Sequence, residues 1–163
     1  MLPENNFVAA KEKASQQYDG AFHLLNVTFP MVRDPKLLMG VVNNIFNSLG
    51  HGMDAILAYE RQLRLVPTCS EEYICKFNLF RMKSVRRNSI SPDIVNLMID
   101  LKELIELQKK SPMEFQRGNR FVICSKDYRM KIISIKELKH FLGLNKEFLQ
   151  QVDQILSKYN RKV

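Results

Sequence analysis

The sequence predicts a mainly all-α fold: an up-and-down bundle of four main helices, with a small C-terminal β-hairpin and one or two further helices. Three observations predict it. Apolar residues recur at three- and four-residue spacings through the first 110 positions. Helix-starting signals (Asp34-Pro35, Thr68-x-x-Glu71, Ser91-Pro92-Asp93) punctuate that pattern. Beyond residue 112 the period changes. The 163 residues fit a single domain, with 1–112 as the four-helix core and 113–163 as hairpin plus C-terminal helices.

The first stripe runs Phe7, Ala10, Ala14, Tyr18, Ala21, Leu25, Phe29, and Pro30 should end it, because proline disfavours helical geometry in the residue before it. Asp34 caps the second helix and Pro35 fits its first turn; Leu38, Val41, Val42, Ile45, Leu49, Met53, Ile56, Leu57 and Glu60 trace its inner face as far as Val66-Pro67. The capping box at Thr68 and Glu71 should open a third helix, with Tyr73, Phe77, Phe80 and Ser84 inward and Ile74 beside them. Ser91 caps the fourth, whose stripe is Ile94, Leu97, Met98, Leu101, Leu104 and Ile105. Phe121–Ser125 and Met130–Ser134 read as two short strands around Lys126-Asp127-Tyr128-Arg129. Ser134-x-x-Glu137 then opens a short helix stopped by Gly143, and Asn145 caps a last one carrying Phe148, Val152, Ile155 and Tyr159.

Composition narrows the function. The longest uncharged stretch, residues 37–53, holds three Asn, one Ser, one His and three Gly, too polar for a membrane span. The N-terminus has no basic start followed by an apolar run, so no signal peptide is expected. Three cysteines, Cys69, Cys75 and Cys124, form an odd set without C-x-x-C and read as reduced thiols in a cytoplasmic protein. His23, His51 and His140 stand alone, so no metal site is expected. Neither a P-loop, nor G-x-G-x-x-G, nor G-x-S-x-G occurs, and no cofactor is implied.

Charge is unevenly placed. Residues 1–80 carry 7 Lys and Arg against 8 Asp and Glu, whereas residues 81–163 carry 18 against 9. A basic half points to a polyanion, nucleic acid being the commonest. The candidate contacts are Arg81, Lys83, Arg86 and Arg87 at one helix end, and Arg117, Arg120, Lys126, Arg129 and Lys131 around the hairpin. Tyr128 and Phe121 could stack bases, although Phe121 also fits the core.

A second constellation lies on the long helix. Asn44, Asn47, His51 and Asp54 recur at spacings of 3, 4 and 3 and share one face, with glycines at 40, 50 and 52 nearby. One reading is a catalytic pocket in which Asp54 orients His51 as a general base. The reading favoured by the sequence is a helix shielded on all sides, its polar layer serving cohesion or homodimer formation.

Two segments, Thr28-Phe-Pro-Met-Val-Arg-Asp-Pro-Lys-Leu-Leu and Lys110-Ser-Pro-Met-Glu-Phe through Arg120-Phe-Val-Ile-Cys-Ser-Lys-Asp-Tyr-Arg-Met-Lys, resemble a group of small archaeal proteins of unknown function. The architecture also resembles the HEPN helical bundles, which include RNA-cleaving toxins and nucleotide-binding relatives. The nuclease members carry an Arg four to six residues before a His. No Arg is so placed before His23, His51 or His140, and the nearest arrangement is Asn47 with His51. The resemblance therefore implies the bundle without its ribonuclease chemistry. The sequence points to a non-catalytic binding module for an anionic partner such as RNA. A HEPN-like nuclease or nucleotide-acting enzyme using His51 and Asp54 is the first alternative, and a structural protein-interaction module the second.

Overall fold

The computed structural model describes residues 4–110, 113–118, 120–124 and 129–160. It is mostly helical with a small antiparallel sheet. The elements are α1 (Glu4–His23), α2 (Phe29–Val32), α3 (Pro35–Gln62), α4 (Tyr73–Leu79), α5 (Val85–Asn88), α6 (Pro92–Lys110), β1 (Met113–Arg117), β2 (Arg120–Cys124), β3 (Met130–Ser134) and α7 (Ile135–Asn160).

Pro30 does not end the first helix. A π-helical turn, Leu24–Thr28, joins α1 to α2, and Phe29 N–H donates to Leu24 O, five residues back. The widened turn carries the chain into α2, with Pro30 at its second position. Asn26 Nδ2 donates to Phe22 O at 3.1 Å. The helix stops at Arg33, which is left-handed at φ 54°. Asp34 caps α3 as expected, its Oδ1 accepting from Lys36 N–H at 3.0 Å.

The Thr68–Glu71 capping box does not form. Helix α4 starts at Tyr73 behind Glu72, which makes no side-chain cap, and Ile74 is exposed. Instead a disulfide joins Cys69 to Cys75, Cα atoms 6.4 Å apart, and ties the preceding loop to the first turn of α4. The expectation of three reduced thiols is thereby corrected, and the compartment argument built on it loses its premise; Cys124 stands half-buried outside the bond. A second π turn, Phe80–Ser84, lies between α4 and α5.

The hairpin is present and gains a strand. β1, β2 and β3 form a three-stranded antiparallel sheet in that order, with Arg117 opposite Arg120 and Val122 opposite Ile132. Phe121 and Ile123 point into the core with Ile133, while Met130 and Ile132 are exposed. Ser134 Oγ accepts from Glu137 N–H at 3.1 Å, so that capping signal holds. Gly143 does not stop the helix it opens. α7 is continuous through it, and Asn145 is buried inside the bundle, not a cap. Lys126 and Tyr128 lie outside the described residues, as does the side chain of Tyr159.

Cross-contacts fix the helix directions around α3. Ala14 meets Ser48, Gly20 meets Asn44 and Phe7 meets Tyr59, so α1 runs antiparallel to α3. Ser48 meets Asn145 and Gly52 meets Phe148, so α7 runs parallel. Phe46–Tyr73, Asp54–Lys76 and Glu60–Arg87 ascend together, so α4 and α5 also run parallel to α3. The strict up-and-down alternation therefore breaks after α3. Residues 63–72 run back along α3 before α4 begins, and ten residues are long enough to cover the return. Leu138, Leu142, Phe148 and Val152 of α7 share one core with α1, α3 and α6, which makes the C-terminal helix a core element.

Candidate functional site

The polar face of α3 divides. Asn44 packs against α1, its Nδ2 only 3.2 Å from where a Cβ on Gly20 would stand. Asn47, His51 and Asp54 instead line a cleft of about 120 Å³, together with Phe46, Gly50, Met53, Tyr73 and Lys76. Complete shielding of the long helix is therefore corrected, because this stretch faces an open cleft with several ionisable groups. The glycines also part company. Gly52 leaves room for Phe148, whose Cε1 would lie 2.7 Å from an added Cβ, whereas Gly50 has open space beside it. This narrow strip is what α3 leaves open along its middle, since its other faces meet α1, α4, α6 and α7.

Inside the cleft Asp54 gives its carboxylate to Lys76, Oδ1 to Nζ 3.0 Å, and no hydrogen bond joins it to His51. His51 is held below the ordinary imidazole value chiefly by burial; Asp54 pulls it upward, and Lys13 and Lys76 push it down. The ring is thus a neutral imidazole at physiological pH. Burial, then Asp54, raises the Tyr73 phenol to about 12. Its ring lies 5.2 Å from Phe46 and stacks on Phe77 at 5.8 Å, with Lys102 Nζ 4.3 Å above it. The arrangement offers a neutral base beside a neutralised ion pair. Among the described residues no group of His, Cys, Asp and Glu could hold a metal ion.

The basic residues do not form one patch. Arg87 bonds the buried carboxylate of Glu60 and donates from Nη2 to Leu65 O at 3.2 Å. Arg81 lies over the Phe77 ring at 5.9 Å, while Lys83 and Arg86 are exposed. Arg117 and Arg120 line a groove of about 330 Å³ with Val122, Met130 and Ile132. Arg129 and Lys131 are exposed near the same sheet. Arg120 pairs with Ser134 at the start of α7, whereas Arg87 shares a cavity with Ile155, twenty residues along that helix from Ile135. At 1.5 Å per residue the two clusters stand about 30 Å apart.

Sequence reasoning missed Glu60 as a polar centre. It occupies the apolar register of α3 and is 1% exposed. A carboxylate in such a register requires a cation and further donors nearby, and Arg87 with Asn88 Nδ2, 3.3 Å from Oε1, supply them. Ser48, on the uncharged stretch of α3, is a second buried polar centre. Its Oγ stands 2.7 Å from Ala14 O and 3.0 Å from Asn145 Oδ1, deep between three helices. One hydroxyl proton cannot serve two acceptors, so the contact is satisfied when the Asn145 carboxamide turns its otherwise unpartnered Nδ2 toward Ser48.

No family model, curated protein or solved structure matches the chain. No helix among the described residues is long and apolar enough to cross a membrane.

Proposed function

We propose that the protein is a non-catalytic binding module whose basic half engages single-stranded RNA across the outer face of its sheet. One observation carries the reading: Arg117 and Arg120 stand directly opposite each other beside a groove in which Met130 and Ile132 are exposed over a buried Val122. Like charges directly opposed on neighbouring strands repel, and neither arginine has an ion-pair partner among the described residues. A phosphate between them would relieve that repulsion while the apolar floor receives a base. Arg129 and Lys131 extend the positive field along the same end of the molecule. Arg87 is excluded from this surface by its bond to Glu60.

The test is titration of a fluorescent oligouridylate at two salt concentrations. Binding should weaken with salt, and Arg117→Ala/Arg120→Ala should reduce the logarithmic salt slope by about 1.4, roughly 0.7 for each phosphate contact on a single strand. Absence of binding at low salt rejects the reading.

A second reading has its own support. The convergence of His51, Asp54, Tyr73 and Lys76 on an open cleft favours a HEPN-like or other nucleotide-acting enzyme with His51 as base. It requires that His51→Ala abolish a measurable turnover while leaving the helical circular-dichroism spectrum intact.

A further inference from the structure

The C-terminal ends of α3, α5 and α7 flank a half-open cavity of about 390 Å³, lined by Tyr59, Glu60, Leu63, Leu65, Arg87, Asn88, Ile155 and Lys158. We propose that it binds a small amphipathic monoanion: an aliphatic chain carrying one carboxylate. This goes beyond the RNA reading and does not depend on it, since the sheet groove lies about 30 Å away along α7.

The walls come from the way α3 ends. Leu65 N–H donates to Glu60 O at 2.9 Å and Arg64 N–H to Arg61 O at 3.0 Å, the paired bonds of a Schellman turn, with Arg64 left-handed at φ 60°. The turn folds Leu65 back over the helix end. Leu63 and Leu65 nevertheless remain 38% and 43% exposed, so two leucines face the opening with apolar surface uncovered. Tyr59 and Ile155 continue the apolar lining deeper in. The volume falls in the range of small-molecule pockets, which are mostly apolar with a few fixed polar groups.

The charges select the head group. Glu60 and Arg87 neutralise each other, which leaves Lys158 and a net charge of +1 on the lining. A guanidinium has five N–H donors, and Arg87 spends one on Glu60 and one on Leu65 O. Three remain, on a side chain that is 34% exposed and oriented by the buried carboxylate. A carboxylate at the opening would thus meet an oriented guanidinium and an ammonium while its chain covers Leu63 and Leu65. A cation would meet the same positive lining, and a neutral alcohol would gain only the apolar contact.

The experiment titrates decanoate, decanol and decylamine, each below its micellar range, into the full chain and follows leucine and isoleucine methyl signals by NMR. Decanoate should shift Leu63, Leu65 and Ile155 selectively and bind more tightly than the other two. Lys158→Gln should weaken it about fivefold, the effect of one exposed charge. Leu65→Asp, with folding checked by circular dichroism, should remove binding, and Arg117→Ala/Arg120→Ala should leave it unchanged. Equal binding of decanol, tighter binding of decylamine, or no shift of these methyls with decanoate overturns the proposal.

Discussion

Two carboxylates six residues apart on α3 each meet a cation from the helices that follow, yet they stand in different surroundings. Glu60 is 1% exposed and is held by Arg87 and Asn88. Asp54 is 31% exposed and faces Lys76 across a cleft. At the first site the carboxylate itself is almost wholly buried, so the protein must supply its partners, and removing one leaves an expensive orphan. At the second, the pair is partly open to solvent, so its charges can be altered at smaller structural cost and their influence falls on the neighbouring imidazole. The comparison separates a polar group that holds the fold together from one that can take part in chemistry.

The largest expected effect breaks the buried site. Arg87→Met should destabilise the protein by about 3–5 kcal/mol, because Glu60 stays buried without its cation. In urea unfolding, Glu60→Leu/Arg87→Met should recover most of that loss, since two apolar side chains replace the pair. A double variant as unstable as the single one would mean that packing, and not charge, dominates at this end of α3.

A smaller effect is expected at Ser48, which lies on the protected side of α3 close to the height of the cleft. Ser48→Ala leaves Ala14 O and the Asn145 carboxamide without their shared partner, at a cost of about 1–3 kcal/mol. Asn47, exposed on the cleft side one residue earlier, should tolerate Asn47→Ala within about 0.5 kcal/mol. Equal losses at the two positions would remove the distinction between the faces.

The same distinction explains what the sequence disclosed. Apolar periodicity located the helical segments, because residues such as Ile45, Leu49 and Ile56 must share a face to be buried together. Asp34 and Ser134 announced helix starts because their caps act within three residues. Pro30 misled, since its local preference yields when a π turn brings the chain to it at the start of a new helical segment. Gly143 misled because propensity gives way to burial along α7. The cleft was half visible: Asn47, His51 and Asp54 follow from helical spacing, whereas Tyr73 and Lys76 arrive through the return of residues 63–72, a long-range event that no local pattern encodes. The Cys69–Cys75 bond was hidden by the odd cysteine count. Glu60 is legible as a carboxylate within an apolar register, a position that demands a cation, but Arg87 reaches it only through the tertiary fold.

A small effect on stability should carry the most information about the cleft. Lys76→Met and Asp54→Asn should each change unfolding free energy by less than about 1 kcal/mol at neutral pH, as expected of a solvent-screened pair. Their effects on His51 should be opposite. Asp54 is the one charge that raises the imidazole value, so Asp54→Asn should lower it further; Lys76 depresses it and shields Asp54, so Lys76→Met should raise it. Because the folded value lies below the ordinary 6.5, the unfolded chain binds more protons as the solution is acidified, and stability falls as pH drops through that value. Asp54→Asn should steepen the fall and Lys76→Met flatten it. NMR titration of the His51 ring measures the two shifts directly. If both variants move the midpoint in the same direction, His51 does not sense these charges across the cleft, and the open site loses its claim to be the chemically adjustable one.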